Sequence, residues 1–319
     1  MMKNYILLSV TLSFSFICAG ASLLKKVTQG ALIKKELEHR MEQWEKVFEF
    51  DANHAAGQLF DYPLSVEVVA TPHDLIARDG VTVTFHGSGA SKQHGRRLKE
   101  RELLRGAVIT FNFPEHDIDF ATYDFTQCSF GTIRELLPAL FVLKQCLDHG
   151  VEKINVYGFS AGGGVVINAI SVLNGDKHED DLARIGILKQ DRKSILQAMS
   201  KGRIILDCPL KSIEELMDYR GYSDAMNIMA HKYRENDLRP IDRLDGFAGL
   251  AMNVLLYFEQ PDEILSNRDD QLYYERLRQY NQKGRTILVE GTSGGHSYTS
   301  NNLWQEYRRT YGKDPQVSS

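Results

Sequence analysis

Gly158-Phe159-Ser160-Ala161-Gly162 is a G-x-S-x-G pentapeptide. A β-branched and aromatic run, residues 154–157, ends just before it, and a small-residue helical pattern begins just after it. A serine in that context sits on a tight strand-to-helix turn, where flanking glycines remove side chains that would collide. The turn lifts the hydroxyl above the strand end and sets it beside a helix N-terminus. Partial positive charge there favours a developing anion. The alternatives are a structural serine in a Gly-rich turn and a phosphate-binding turn.

A seryl hydroxyl is a weak nucleophile near neutral pH and needs a base. Of the ten histidines, His296 lies in Ser293-Gly294-Gly295-His296-Ser297, just past the last strand pattern. Loops at the C-terminal ends of parallel strands share one rim, which would bring His296 toward Ser160. Otherwise His296 is a solvated loop histidine. The base needs an acceptor to fix its tautomer. Asp262, in Glu259-Gln260-Pro261-Asp262-Glu263-Ile264, follows a strand pattern and completes the chain order Ser160, Asp262, His296. Glu259, Glu263, Asp269 and Asp270 are rivals for that acidic role.

Residues 81–85 form another β pattern, followed by His86-Gly87-Ser88-Gly89. A loop after an early strand can aim a backbone N–H at a reacting carbonyl oxygen, and the residue after the serine supplies a second. Ser88 and Ala161 are the expected oxyanion-hole donors, with Gly87 close behind. His86 is expected to hydrogen-bond its own loop. A dinucleotide-binding reading of Gly87-Ser88-Gly89 fails, because Lys92 stands where the third glycine should be.

Strand and helix patterns alternate along the chain. Strands are expected at 64–70, 81–85, 106–113, 154–157, 203–207, 253–258 and 286–290. Helices are expected at 23–48, 132–149, 160–173, 191–199, 271–281 and 301–311, with Thr132 and Glu135 forming a capping box. That alternation implies an α/β fold: a mostly parallel central sheet with helices on both faces. Residues 209–237 read as a helical excursion, and 211–243 as a small helical lid. Met217, Tyr219, Tyr222, Met226 and Met229 either line a pocket for an apolar acyl group or pack on the core. The charge runs 96–101 and 178–181 read as solvated surface. Glu115, His116, Asp117 and Asp119 read as a polar loop rather than a metal cluster.

With 43% hydrophobic and 25% charged residues and a net charge of −4, the 319-residue chain has ordinary globular composition. Without a basic excess, a nucleic-acid partner is not expected. Residues 1–21 read as a secretory signal peptide: Lys3, an apolar run over 5–17, then Ala19-Gly20-Ala21. The run is shorter than the roughly 20 residues that span a bilayer. Secretion, or a periplasmic or envelope location, follows, with membrane contact only if the segment stays attached. Ile17 before Cys18 disfavours lipidation. Residues 22–63 form a helical extension and 64–319 the main domain. Four cysteines without a CxxC pair give neither a disulfide framework nor a zinc ribbon.

These pieces resemble the α/β-hydrolase superfamily, nearest its serine esterase, lipase and aminopeptidase-like branches. The matching pieces are His86-Gly87 after a strand, the elbow at Ser160, Asp262 in a post-strand loop, and Gly295-His296 near the end. Asn112-Phe113-Pro114-Glu115-His116-Asp117 is similar to an Asn-Tyr-Pro-Gly-His-Gly loop common there, with both glycines replaced. Phe258-Glu259 departs from the His-Gly often found before the acid. The resemblance spans roughly residues 64–311. It implies acyl transfer to water through an acyl-enzyme, on a small-molecule or lipid-like acyl substrate, with no metal and no cofactor. A serine peptidase or amidase, or a catalytically silent binding or effector protein, would share the scaffold.

Overall fold

The computed structural model describes residues 60, 64–70, 74, 80–114, 133–175, 178–221, 239–292, 295–296 and 301–311. By its internal packing the chain divides into two units, Met1–Val47 and Phe48–Ser319, and every described residue lies in the second. The signal segment, the 23–48 helix, Thr132 and the polar cluster Glu115, His116, Asp117 and Asp119 therefore lie outside the described residues.

Seven strands form one sheet: β1 (Val66–Val69), β2 (Val81–Phe85), β3 (Ala107–Phe111), β4 (Ile154–Phe159), β5 (Ile204–Asp207), β6 (Asn253–Glu259) and β7 (Arg285–Gly291). Their order is β1-β3-β2-β4-β5-β6-β7. Only β1 is antiparallel, pairing with β3 through Val66 opposite Phe111. Strands β2, β3 and β5 are buried at every residue, as strands covered on both faces must be. Edge strand β1 is half-buried throughout.

The helices are α1 (Gln93–Glu100), α2 (Ile133–Asp148), α3 (Ala161–Asn174), α4 (Glu179–Arg184), α5 (Lys189–Lys201), α6 (Ile213–Tyr219), α7 (Asp270–Tyr280) and α8 (Asn301–Tyr311), with a 3₁₀ helix at Pro240–Phe247. One sheet face presents Tyr157, Phe159, Ile205, Leu255 and Tyr257 to Leu98 of α1 and to Leu303, Trp304 and Tyr307 of α8. On the other face, α3 packs against α2, α5 and the 3₁₀ helix. Helix α3 (AGGGVVINAISVLN) is apolar almost all round, and its residues from Ala161 to Ile170 are all buried. An all-round apolar helix is stable only when covered on all sides.

The expected parallel α/β sheet is present, with strand boundaries within a few residues of those read from the sequence. At three places the structure adds local detail. Residues 96–101 lie on and just past α1, and the run is largely solvated as expected: Arg97, Glu100 and Arg101 are exposed, and Leu98 turns inward beside His94 and Gly95. Arg96 on its outer side pairs with Glu67. The polar stretch from His178 opens helix α4. Within the expected lid, α6 and the start of the 3₁₀ helix are described; Tyr222, Met226 and Met229 lie outside the described residues. Tyr219 is 48% exposed, its hydroxyl donating to the Asp262 carbonyl at 2.9 Å.

The order of strands fixes where a site can open. From β2 the chain steps outward to β3, then returns past β2 to β4. The connections leaving β2 and β4 therefore run to opposite faces, α1 on one and α3 on the other. At such a switch point the carboxyl ends of the strands border a crevice.

Candidate active site

Ser160 stands at that crevice, between β4 and α3, with φ 52° and ψ −118°. A positive φ costs a non-glycine residue about 1–3 kcal/mol, so the surroundings must hold it there. The flanking glycines show how. A Cβ on Gly162 would lie 2.2 Å from the Phe85 carbonyl oxygen and 2.5 Å from that of His86. A Cβ on Gly158 would come within 2.8 Å of Gly163 Cα and 2.9 Å of Val166 Cγ2. The ends of β2 and β4 and the first turn of α3 thus meet backbone to backbone. The Ser160 N–H donates to the Asp207 carbonyl at 2.9 Å, and its own carbonyl accepts from the Gly163 and Leu210 N–H groups at 2.9 Å each.

The acid loop is built as tightly. Asp262 Oδ1 accepts the N–H groups of Ile264 at 2.7 Å and Leu265 at 2.8 Å. The Asp262 N–H donates to Asn267 Oδ1 at 3.0 Å, and Asn267 Nδ2 reaches the Glu259 carbonyl at 2.7 Å and Asp270 Oδ2 at 2.8 Å. Asp262 Oδ2 then accepts His296 Nδ1 at 2.7 Å. Burial alone would raise the Asp262 carboxyl pKa. The hydrogen bond and charge of His296, with the Leu265 and Ile264 amides, instead hold it below the ordinary range. The rivals are engaged elsewhere or turned outward. Glu259 accepts the Tyr257 hydroxyl, Asp270 accepts Lys211 Nζ at 2.6 Å, Glu263 is exposed and Asp269 half-buried.

A carboxylate only accepts, so His296 carries its proton on Nδ1 and leaves Nε2 as the lone-pair nitrogen. Nε2 is buried with no hydrogen-bond partner among the described residues. The imidazole is held near the elbow by Phe159, the neighbour of Ser160, whose ring centroid lies 5.0 Å from that of His296.

The loop after β2 lies against the same serine. A Cβ on Gly87 would fall 2.8 Å from the Phe159 ring and 3.2 Å from Ser160 Cβ. Ser88 follows in the turn closed by Ala90 N–H to the Gly87 carbonyl at 3.1 Å. Ala161 opens α3, among the first N–H groups of a helix, which have no partner within it. His86 accepts the Phe113 N–H on Nε2 at 3.1 Å, which leaves Nδ1–H to donate to the Gly87 carbonyl at 2.9 Å. Both ring nitrogens are committed to loop structure, as expected. Asn112 is buried and accepts the Lys92 N–H at 2.6 Å, so the 112–114 segment props this loop from below.

Sequence reasoning missed a buried polar chain behind the crevice. Tyr157 donates its hydroxyl to Asp207 Oδ2 at 2.7 Å, and His94 Nε2 lies 3.3 Å from that hydroxyl. Asp207 is completely buried. Burial pushes its carboxyl pKa up to about 7, against the opposing hydrogen bond of Tyr157, the charge of His296 and a bond to Cys208. The available signal was a carboxylate closing an apolar strand at the same rim as Ser160.

Cys208, Asp262 and His296 bring one ligand atom each within 4.8 Å of one another. Both Asp262 oxygens and His296 Nδ1 are already bonded, and burial raises the Cys208 thiol well above its ordinary pKa. A protonated thiol is a poor ligand, and this donor set does not fit a resident ion. Cys146 and Cys208 are buried free thiols. Among the described residues no helix is long and apolar enough to cross a membrane.

Sheet order, strained seryl elbow and rim histidine together define the α/β-hydrolase fold. No family model and no curated protein matches the chain. Similar solved structures include an esterase from Pyrococcus furiosus, with 17% identity, TM-score 0.48, and coverage of 81% of this chain and 93% of that one. Butyrate-bound esterase 2 of the planctomycete Thermogutta terrifontis has 19% identity, TM-score 0.48, and coverage of 78% and 87%. A monoacylglycerol lipase from Paleococcus ferrophilus has 14% identity, TM-score 0.46, and coverage of 78% and 96%.

Proposed function

We propose that this protein is a serine hydrolase that cleaves an ester or thioester of a small-molecule or lipid-like acyl group. The observation that carries this reading is the 2.7 Å bond from His296 Nδ1 to Asp262 Oδ2, on an imidazole that packs against Phe159, the residue before the strained Ser160. Ser160 Oγ attacks the carbonyl carbon while His296 Nε2 takes its proton. Asp262 faces the imidazolium so formed. The N–H groups of Ser88 and Ala161 hold the oxyanion, each contributing about 2.7–4 kcal/mol of transition-state stabilisation. Collapse breaks the bond to the leaving alcohol or thiol, which takes the proton back from Nε2. Water then attacks the acyl-Ser160 ester with Nε2 as base, releasing the acid and restoring the serine. The N-terminal pattern supports action in a secreted, periplasmic or envelope location.

A panel of acyl esters and thioesters of graded chain length, set against aminoacyl amides, tests this reading. Turnover of esters that is lost in Ser160→Ala is expected. Preferred turnover of amides would make the protein a peptidase or amidase of the same fold. No turnover of any substrate would favour a silent binding protein.

A further inference from the structure

We propose that Asp207 is a second carboxylate of this site, a positioning residue that Tyr157 and His94 hold against His296 from the sheet side. The inference rests on the reading of His296 as the base. Three geometric facts set Asp207 beside the elbow and beside the residues that pack near His296. Its carbonyl receives the Ser160 N–H at 2.9 Å, so it shares the backbone anchor of the elbow. In the β4–β5 register it lies opposite Phe159, whose ring packs on His296 at 5.0 Å. The next residue, Cys208, brings its sulfur within 4.8 Å of ligand atoms of both His296 and Asp262.

Asp207 is built to hold one geometry. Tyr157 spends its single proton on Oδ2 at 2.7 Å, so the same hydroxyl accepts from His94 Nε2–H at 3.3 Å. Burial, helped by nearby Arg97, lowers the His94 pKa to about 3, so His94 is a neutral donor and brings no charge. Asp207 Oδ1 is buried and meets no N–H or O–H donor among the described residues, so beyond Tyr157 the carboxyl has only the weak thiol donor of Cys208. A carboxylate left half-satisfied in a core costs stability, and structure alone gives no reason to keep it. The titratable groups around it are Tyr157 on β4, His94 on α1, Cys208 beside it, Tyr257 and Glu259 on β6, Asp262 beyond β6 and His296 beyond β7. Tyr257 donates to Glu259, and Asp262 is bonded to His296. Burial lifts the Asp207 carboxyl toward neutral pH, and ionised it adds negative potential where the imidazolium forms.

The test is kcat/KM against pH, on one short-chain ester, for wild type, Asp207→Asn and Tyr157→Phe. Each protein is also labelled with a fluorophosphonate. The wild-type profile should contain an ionisation near 7 on its acidic side. Asp207→Asn should remove that step and lower the plateau roughly tenfold, the equivalent of one unit of proton affinity. Tyr157→Phe removes the hydrogen bond that favours the charged carboxylate, so the step should move to higher pH. A merely structural loss would scale the profile without moving it. If Asp207→Asn does not fold, Tyr157→Phe decides alone. Labelled proteins whose profiles superimpose after scaling would overturn the role of Asp207 and leave the hydrolase reading standing. A wild type that takes no label would overturn the hydrolase reading, and this inference with it.

Discussion

Ser160, Asp262 and His296 lie far apart in sequence, and each is held by different local chemistry. Asp262 is fixed by two amides and one imidazole. Asp262→Asn should therefore lower kcat about 10⁴-fold by favouring the wrong tautomer, whereas Asp269→Asn should leave it within about twofold. Steady-state kinetics of the two variants checks this, and equal losses would contradict the assignment. The two acids should also act oppositely on stability. The lowered pKa of Asp262 gives stability that is present above the unfolded value and is lost as pH falls through the folded one. The Asp207 pKa is raised from 3.8 to about 7, so its stability contribution is fully present below 3.8 and disappears as pH rises to 7. Asp207→Asn should thus gain in Tm relative to wild type between pH 4 and 7. A constant difference across that range would count against a raised Asp207. The pairing of Asp262 with His296 was legible because each follows a strand pattern at the same rim. Asp207 was not legible: in sequence it is only the polar end of Ile204–Asp207, and its meaning comes from Tyr157 and His94 across the sheet.

Among the elements, the elbow was readable because strand, turn and helix are contiguous there. Its tightness is a property of β2, which arrives from elsewhere in the chain. Gly162→Ala would press a methyl against two carbonyl oxygens of β2 and its loop. Overpacking usually costs about 1–3 kcal/mol, and rigid backbone on both sides puts this site at or above the upper end. Loss of both Tm and ester turnover is expected; wild-type stability would mean that the β2–α3 contact is looser than described. Helix α1 escaped the sequence reading for a related reason. Its surface is dominated by Arg96, Arg97 and Lys99, while His94, Gly95 and Leu98 turn inward. Gly95 lets the helix backbone lie on Thr84 and Thr110, since a Cβ there would meet Thr84 Oγ1 at 2.2 Å. That contact joins residues distant in sequence, so no local periodicity reveals it. Lys211 ties α6 to α7 in the same non-local way, 2% exposed between Asp270 and Glu215. Lys211→Met would leave two carboxylates without their cation and should cost about 3–5 kcal/mol in urea denaturation. An unchanged midpoint would argue that the two acids take up protons instead.

For the whole molecule, the strand order does the positioning. The chain reverses direction across the sheet between β2 and β4, and the rim it opens there receives loops from β2, β4, β5, β6 and β7. The alternation of strands and helices made that sheet legible, but the register that sets Phe159 opposite Asp207 and Tyr257 opposite Val289 required coordinates. The most direct measurement is intact-mass analysis and peptide mapping after fluorophosphonate treatment of wild type, Ser160→Ala and His296→Gln. One adduct per wild-type chain on the peptide containing Ser160, none on Ser160→Ala and greatly slowed labelling of His296→Gln is the predicted result. An adduct that persists on Ser160→Ala, or labelling of His296→Gln at the wild-type rate, would contradict it.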